Sequence, residues 1–151
     1  MRLTSIEIKD FRAFKGIPLK IDLTDKGKNL LVYGENGSGK SSLYLALRDF
    51  LESAAKGSDI NEFPFRNIFV KTDEGFIKLD FSDAGGDPDA KKYEWSEKKN
   101  DTTEPLILEI DKTKGFIDYK ALLRTHLLHN ESDSVNIFTL LVVDKVKGRE
   151  D

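Results

Sequence analysis

The stretch that most restricts the fold of this chain lies at residues 34–41 and reads Gly-Glu-Asn-Gly-Ser-Gly-Lys-Ser. It follows a continuous apolar run at residues 29–33, which predicts a short strand buried on both faces. We refer to residues 34–41 as the glycine loop and to residues 29–33 as the apolar segment. Apolar residues at helical spacing come next and predict an amphipathic helix ending near Lys56 and Gly57. These residues are Leu43, Ala46, Leu47, Phe50 and Leu51.

The glycine loop matches G-x-x-x-x-G-K-[ST], the phosphate-binding loop, and it lies between strand and helix as that motif requires. Glycine lets successive backbone N–H groups approach phosphate oxygens, and the helix N-terminus favours an anion. We expect Lys40 to reach the β- and γ-phosphates of a nucleotide, Ser41 to bind Mg²⁺, and Ser42 to lie near the α-phosphate. A glycine-rich turn without a ligand is the alternative. The predicted nucleotide-binding residues here are Gly34, Glu35, Asn36, Gly37, Ser38, Gly39, Lys40, Ser41 and Ser42.

The rest of the chain contains several further predicted elements. Alternating apolar residues predict an N-terminal hairpin, with a strand around Ile6 and Ile8 and a turn at Phe14 to Gly16. The second strand of this hairpin carries Ile17, Leu19, Ile21 and Leu23. Short strands are also predicted at residues 66–70, 75–81, 92–96 and 104–110, the last with Leu106, Leu108 and Ile110 on one face, and a helix is predicted at residues 116–129.

Composition excludes several classes of protein. The chain has 151 residues, a formal net charge of −3 and no cysteine, so a disulfide framework and a cysteine zinc site are excluded. The negative charge predicts no strong general attraction to nucleic acid or to an anionic membrane surface. The N-terminus carries no signal-peptide apolar core, and no apolar run is long enough to span a membrane. These features predict a cytoplasmic protein without a membrane partner.

Two stretches of the sequence together resemble the first lobe of SMC/RecF-type ABC-class ATPase heads. They are residues 3–16 (LTSIEIKDFRAFKG) and residues 21–51, and the second stretch contains GENGSGKSSL. The resemblance covers the first third of the chain well and implies an α/β P-loop NTPase lobe with a mixed sheet and an antiparallel β-rich subdomain. It also implies that Arg12 lies near the nucleotide and Asn36 near the γ-phosphate. Alternatively, Arg12 is a solvated hairpin charge, and Asn36 is a residue that tolerates a left-handed turn.

In the family that the sequence resembles, one ATPase head is split by a long insertion. We therefore expect a single domain over residues 1–151 that forms the N-terminal half of a head. Residues 1–57 would hold the hairpin, glycine loop and first helix, residues 58–115 the β-rich subdomain, and residues 116–151 a helical segment leading toward a coiled coil. The implied partners are the C-terminal half of the same head, a second head in an ATP-dependent dimer, and DNA bound by the full assembly, in repair or anti-phage defence.

The sequence departs from the family pattern in its catalytic motifs. It contains no glutamine for the Q-loop, which leaves His126 and His129 as candidates to orient water, although histidines on an apolar helix are more often packed or exposed. It also contains no L-S-G-G-Q signature. Residues 139–145 outline a Walker B strand ending at the candidate magnesium ligand Asp144, but Lys145 occupies the place of the catalytic glutamate. The same residues also fit a helix, which we favour.

Two other classes of function remain open from the sequence. The first is a stand-alone small P-loop NTPase or kinase in which Asp144 is the Walker B aspartate. A GTPase would need N-K-x-D to bind guanine, and that motif does not occur in the chain. The second is a module that binds ATP without hydrolysing it and regulates assembly.

Overall fold

The computed structural model describes residues 1–24, 27–53, 67–71, 74–83 and 90–116. The chain divides into two compact units, Met1–Lys112 and Thr113–Asp151. The sheet, the glycine loop, the first helix and the second helix as far as residue 112 belong to the first unit. Beyond residue 116, the predicted helix at 116–129 and the candidate Walker B segment at 139–145 lie outside the described residues.

Four strands form one sheet in the first unit. They are β1 (Arg2–Lys9), β2 (Leu19–Asp22), β3 (Phe76–Ser82) and β4 (Lys91–Ser96), and their order across the sheet is β2-β1-β3-β4. The hairpin prediction and the strand predictions at residues 75–81 and 92–96 are confirmed. Every pairing between these strands is antiparallel, so the described part of the chain does not show the mixed sheet that we predicted.

Side chains from one face of the sheet form the core with the first helix, α1 (Lys40–Glu52). Strand β1 alternates buried and half-buried residues along its length, which is the period-two pattern that predicted it. Phe50 of α1 meets Trp95 of β4 edge to face, with ring centroids 6.3 Å apart. The buried core residues from the sheet and α1 include Ile6, Ile8, Leu43, Ala46, Phe50, Ile77, Leu79, Phe81, Tyr93 and Trp95.

Helix α1 confirms the predicted amphipathic helix, although its predicted end at Lys56 and Gly57 lies outside the described residues. Its buried positions include Leu43, Ala46 and Phe50, which are spaced at i, i+3 and i+7. Ser53 follows the last helical residue, and its hydroxyl donates to the carbonyl of Phe50 at 3.1 Å.

The predicted strand at residues 104–110 is wrong, because this segment belongs to helix α2 (Pro105–Thr113). Proline is favoured at the first helical position, where its missing N–H costs no hydrogen bond. The N–H of Leu108 bonds to the carbonyl of Glu104 at 3.1 Å, which closes the first helical turn. Ile107 is fully buried and Leu108 is exposed, the reverse of the face that we predicted for a strand.

The predicted strand at residues 66–70 is also wrong where it is described. Asn67 begins a turn, in which its carbonyl accepts from the N–H of Val70 at 3.0 Å and its side-chain oxygen accepts from the N–H of Phe69 at 2.9 Å. An asparagine side chain competes in this way for backbone groups that a strand would otherwise use. Ile68 and Phe69 are consequently exposed.

The apolar segment at residues 29–33 is not a buried strand, which corrects our prediction. Leu31 and Tyr33 are 88% and 90% exposed, whereas Leu30 and Val32 are 42% and 43% exposed. A strand buried on both faces needs neighbouring strands that take up its N–H and C=O groups. No described strand pairs with this segment. Its apolar side chains predicted a strand, but the backbone pairing that a sheet strand needs is not present among the described strands.

Candidate functional site

The glycine loop adopts the backbone conformation that its glycines predict. Gly37 and Gly39 have φ angles of 87° and 91°, in the left-handed region that side chains rarely adopt. The N–H of Ser38 bonds to the carbonyl of Glu35 at 3.2 Å and closes a turn around Asn36, which is exposed. The loop is therefore a tight, solvent-facing bend that leads directly into α1.

The N-terminus of α1 offers a favourable position for an anion. Its N-cap is Gly39, which makes no side-chain capping hydrogen bond, and the first turn contains no acidic residue. The first N–H groups of a helix have no intrahelical partner, and the helix dipole adds positive potential there. Phosphate oxygens satisfy these donors at other helix N-termini. Ser41 is exposed in this first turn, where its hydroxyl is accessible to a metal ion bound beside the loop.

The side chain of Lys40 folds back over the glycine loop. Its Nζ atom donates to the carbonyl of Gly34 at 2.7 Å, to the carbonyl of Glu35 at 2.6 Å and to Oγ of Ser38 at 3.3 Å. The ammonium group is thus held against the loop backbone, close to where a bound phosphate would lie. A phosphate oxygen would compete with these neutral acceptors, and a charge-assisted hydrogen bond is the stronger one.

A second loop packs against the glycine loop. Residues 10–18 connect β1 to β2, and we refer to them as the hairpin loop. The N–H of Ala13 donates to Oγ of Ser42 at 3.3 Å. The ring of Phe14 lies so close to Gly39 that a Cβ atom there would be 3.1 Å from the Phe14 Cε1 atom. The hairpin loop therefore braces the end of the glycine loop and the first turn of α1.

Arg12 lies in this hairpin loop with a φ of 50°, and its guanidinium carbon is 5.8 Å from the centroid of the Phe11 ring. Its neighbours Ala13 and Phe14 make the contacts with the glycine loop described above. The structure thus brings the loop of Arg12 to the site, while a contact between Arg12 and a nucleotide stays a prediction. The other predicted candidates, His126, His129 and Asp144, lie outside the described residues.

A groove of about 1040 Å³ opens beside the site. The apolar segment contributes Leu30 and Val32 to its lining, and α1 contributes Leu43 and Leu47. Lys40 also lines the groove, so the groove and the glycine loop share one residue. Among residues 30–33, the two side chains that line this groove, Leu30 and Val32, are the two that are less exposed.

Within the described ranges, no three acidic or histidine side chains form a cluster that could hold a metal ion. The described part of the chain also contains no helix long and apolar enough to cross a membrane.

Sequence reasoning missed three residues of this arrangement. Ala13 and Phe14 belong to the FRAF stretch, but only Arg12 was singled out there. Asn67, which contacts the hairpin loop, was assigned to a strand. A signal was available, because asparagine is disfavoured in strands and favoured in turns.

A comparison with protein families adds the decisive observation, since a family model for an AAA domain matches residues 5–149. The chain belongs to this AAA domain family. Comparisons with curated proteins and with solved structures gave no match. Membership implies a P-loop NTPase fold and nucleotide binding, typically with Mg²⁺.

Proposed function

We propose that this AAA domain is the ATP–Mg²⁺-binding lobe of an SMC/RecF-type ATPase that acts on DNA. The observation that carries the proposal is the glycine loop itself, which leads into an uncapped helix N-terminus and holds the Nζ atom of Lys40 against its backbone. Backbone donors, a helix dipole and a mobile cation converge there, which suits a polyphosphate.

Roles follow for the residues of the loop. The N–H groups of the loop and of the first turn of α1 would bind phosphate oxygens, and Lys40 would exchange loop carbonyls for the β- and γ-phosphates. The Ser41 hydroxyl would be a magnesium ligand. Bound Mg²⁺ would offset phosphate charge. Ser42 already accepts from the N–H of Ala13, so it links the hairpin loop to the nucleotide site.

The apolar segment supports the proposal that the lobe is completed by further strands. Exposure along residues 30–33 alternates between less exposed and more exposed side chains, as it does along a strand. This segment lines the groove, and no described strand takes up its backbone hydrogen bonds. We assign the C-terminal half of the same head to this place, because its strands beside the segment would take up the segment's backbone hydrogen bonds.

The DNA-related part of the proposal rests on the resemblance of residues 3–16 and 21–51 to SMC/RecF-type heads. DNA binding is assigned to the full assembly of two complete heads. The formal net charge of −3 gives this chain no general attraction to the phosphate backbone of DNA.

The first test is titration calorimetry of the chain with ATP and Mg²⁺. Lys40→Ala removes a charge-assisted contact to phosphate, which costs about 1.5–3 kcal/mol, or roughly 10- to 150-fold in Kd. The fold should survive, because the three hydrogen bonds of the Lys40 Nζ atom go to exposed residues of the glycine loop. Lys92→Ala, which removes an exposed lysine of β4, is the matched control and should bind as the parent does. Equal affinity of the Lys40→Ala variant and the parent would contradict the proposal.

A further inference from the structure

Asn67 holds the hairpin loop from a distant part of the chain. Its backbone N–H donates to the carbonyl of Asp10 at 2.7 Å, and its side-chain Nδ2 donates to the carbonyl of Arg12 at 2.7 Å. Its Oδ1 accepts from the N–H of Phe69 at 2.9 Å, so the amide orientation is fixed by a donor on one side and an acceptor on the other. Asn67 is only 6% exposed, which shields these hydrogen bonds from water.

The two carbonyls that Asn67 binds belong to the two left-handed residues of the hairpin loop that are not glycine. Asp10 and Arg12 have φ angles of 53° and 50°, although neither is glycine. Non-glycine residues keep this conformation only where the surrounding structure enforces it. The side chain of Asp10 adds a local contact, since its Oδ1 accepts from the N–H of Gly16 at 2.7 Å. Asn67 adds hydrogen bonds to both of these carbonyls from a distant part of the chain.

The position of the hairpin loop matters for the glycine loop. Immediately after Arg12, the N–H of Ala13 reaches Oγ of Ser42, and the ring of Phe14 packs beside Gly39. A continuous set of contacts therefore runs from Asn67 through the backbone of Arg12 to the first turn of α1. Loss of the Asn67 amide frees the carbonyl of Arg12 and relaxes the loop that packs there.

We propose that Asn67 is a positioning residue of the nucleotide site. It touches no nucleotide, and it acts by fixing the hairpin loop against Gly39 and Ser42. This inference rests on the proposed ATP binding by the glycine loop. It assigns to the turn at residues 67–70 a role in affinity for nucleotide, beyond a role in stability.

The test compares ATP–Mg²⁺ affinity and thermal stability in matched variants. Asn67→Ala should raise the Kd about 2- to 30-fold, the range expected when a substitution changes the coupling to a site that it does not contact. Asn67→Asp keeps the size of the side chain and the acceptor for Phe69 but lacks the amide donor to Arg12, so it should weaken binding similarly. If the alanine variant does not fold, Asn67→Asp still tests whether the amide donor to Arg12 matters for nucleotide affinity.

Asn100→Ala is the control. The Asn100 side chain accepts from the N–H and the hydroxyl of Thr102 at 3.1 Å and 2.7 Å, away from the hairpin loop. Its loss should lower the Tm by a similar amount and leave the Kd unchanged.

A double-mutant cycle separates positioning from simple stabilisation. Phe14→Ala removes the ring that packs beside Gly39, so adding Asn67→Ala to it should raise the Kd less than twofold further. Two outcomes would overturn the positioning role and leave the proposed function intact. One is that the two substitutions have additive effects on the Kd. The other is parental affinity in both Asn67 variants while Lys40→Ala still weakens binding. A parent chain that binds no ATP would overturn the proposed function itself.

Discussion

Gly37 and Gly39 share a left-handed backbone but differ in their surroundings. A Cβ atom at Gly37 would meet no atom within 4 Å, whereas one at Gly39 would be 3.1 Å from the Phe14 Cε1 atom. The motif itself specifies a glycine at position 39 and leaves position 37 open. Position 39 therefore favours glycine for a second reason, because a side chain there would crowd Phe14 of the hairpin loop.

Alanine substitutions at these two glycines should differ in cost. Each adds left-handed strain of about 1–2 kcal/mol. Gly39→Ala should lose about 1 kcal/mol more, because its methyl group displaces the Phe14 ring. Urea unfolding measures both free energies. The extra cost at Gly39 should disappear when Phe14→Ala is also present, and equal costs in the parent background would show that Phe14 does not pack there.

At the residue scale, the sequence located the glycine loop correctly because its residue types are fixed by local backbone chemistry. The contacts of Asn67 with Asp10 and Arg12 could not be predicted in the same way. Asn67 and Arg12 are 55 positions apart, and no local pattern states which carbonyl a distant amide will meet.

At the element scale, the success of each prediction depended on whether the apolar residues recur with one clear period. Strands β1 and β3 alternate strictly between buried and half-buried positions over most of their length, and both were predicted. The run at residues 104–110 is apolar at consecutive positions, so its period does not separate strand from helix. Pro105 at the helix start was the available signal.

The buried face of α2 leads to a prediction that distinguishes helix from strand. Ile107→Ala should lower the free energy of unfolding by about 2–5 kcal/mol, because Ile107 is fully buried. Leu108→Ala should cost less than about 1 kcal/mol, because Leu108 is 36% exposed. Chemical denaturation followed by circular dichroism measures both. A larger loss at Leu108 than at Ile107 would indicate the strand that we first predicted.

At the scale of the whole molecule, the groups proposed to bind ATP differ from the groups that hydrolysis requires. The glycine loop is proposed to hold phosphates, but turnover also needs a group that orients water and donors that stabilise charge on the γ-phosphate in the transition state. In the proposed assembly, these groups come from the C-terminal half and from a second head. Holding ATP equally in ground state and transition state lowers no barrier.

We therefore expect negligible ATP hydrolysis by the 151-residue chain alone. A phosphate-release assay should give the same rate for the parent and for Lys40→Ala, although the parent binds ATP more tightly. Adding the C-terminal half in trans should raise the rate of the parent only. Robust turnover by the chain alone, abolished by Lys40→Ala, would instead favour a complete small P-loop enzyme with Asp144 as its magnesium ligand.

The exposed apolar segment also has a consequence for biosynthesis. Four consecutive apolar residues, whose strand-like backbone pairs with no described strand, are a template for edge-to-edge pairing between nascent chains. In the proposed split head, the covering strands leave the ribosome only after the long insertion, at about 5–20 residues per second. Lys28 and Gly34 flank the segment, and such residues interrupt aggregation-prone stretches. A chaperone that binds the apolar segment during this interval would prevent two incomplete heads from pairing with each other.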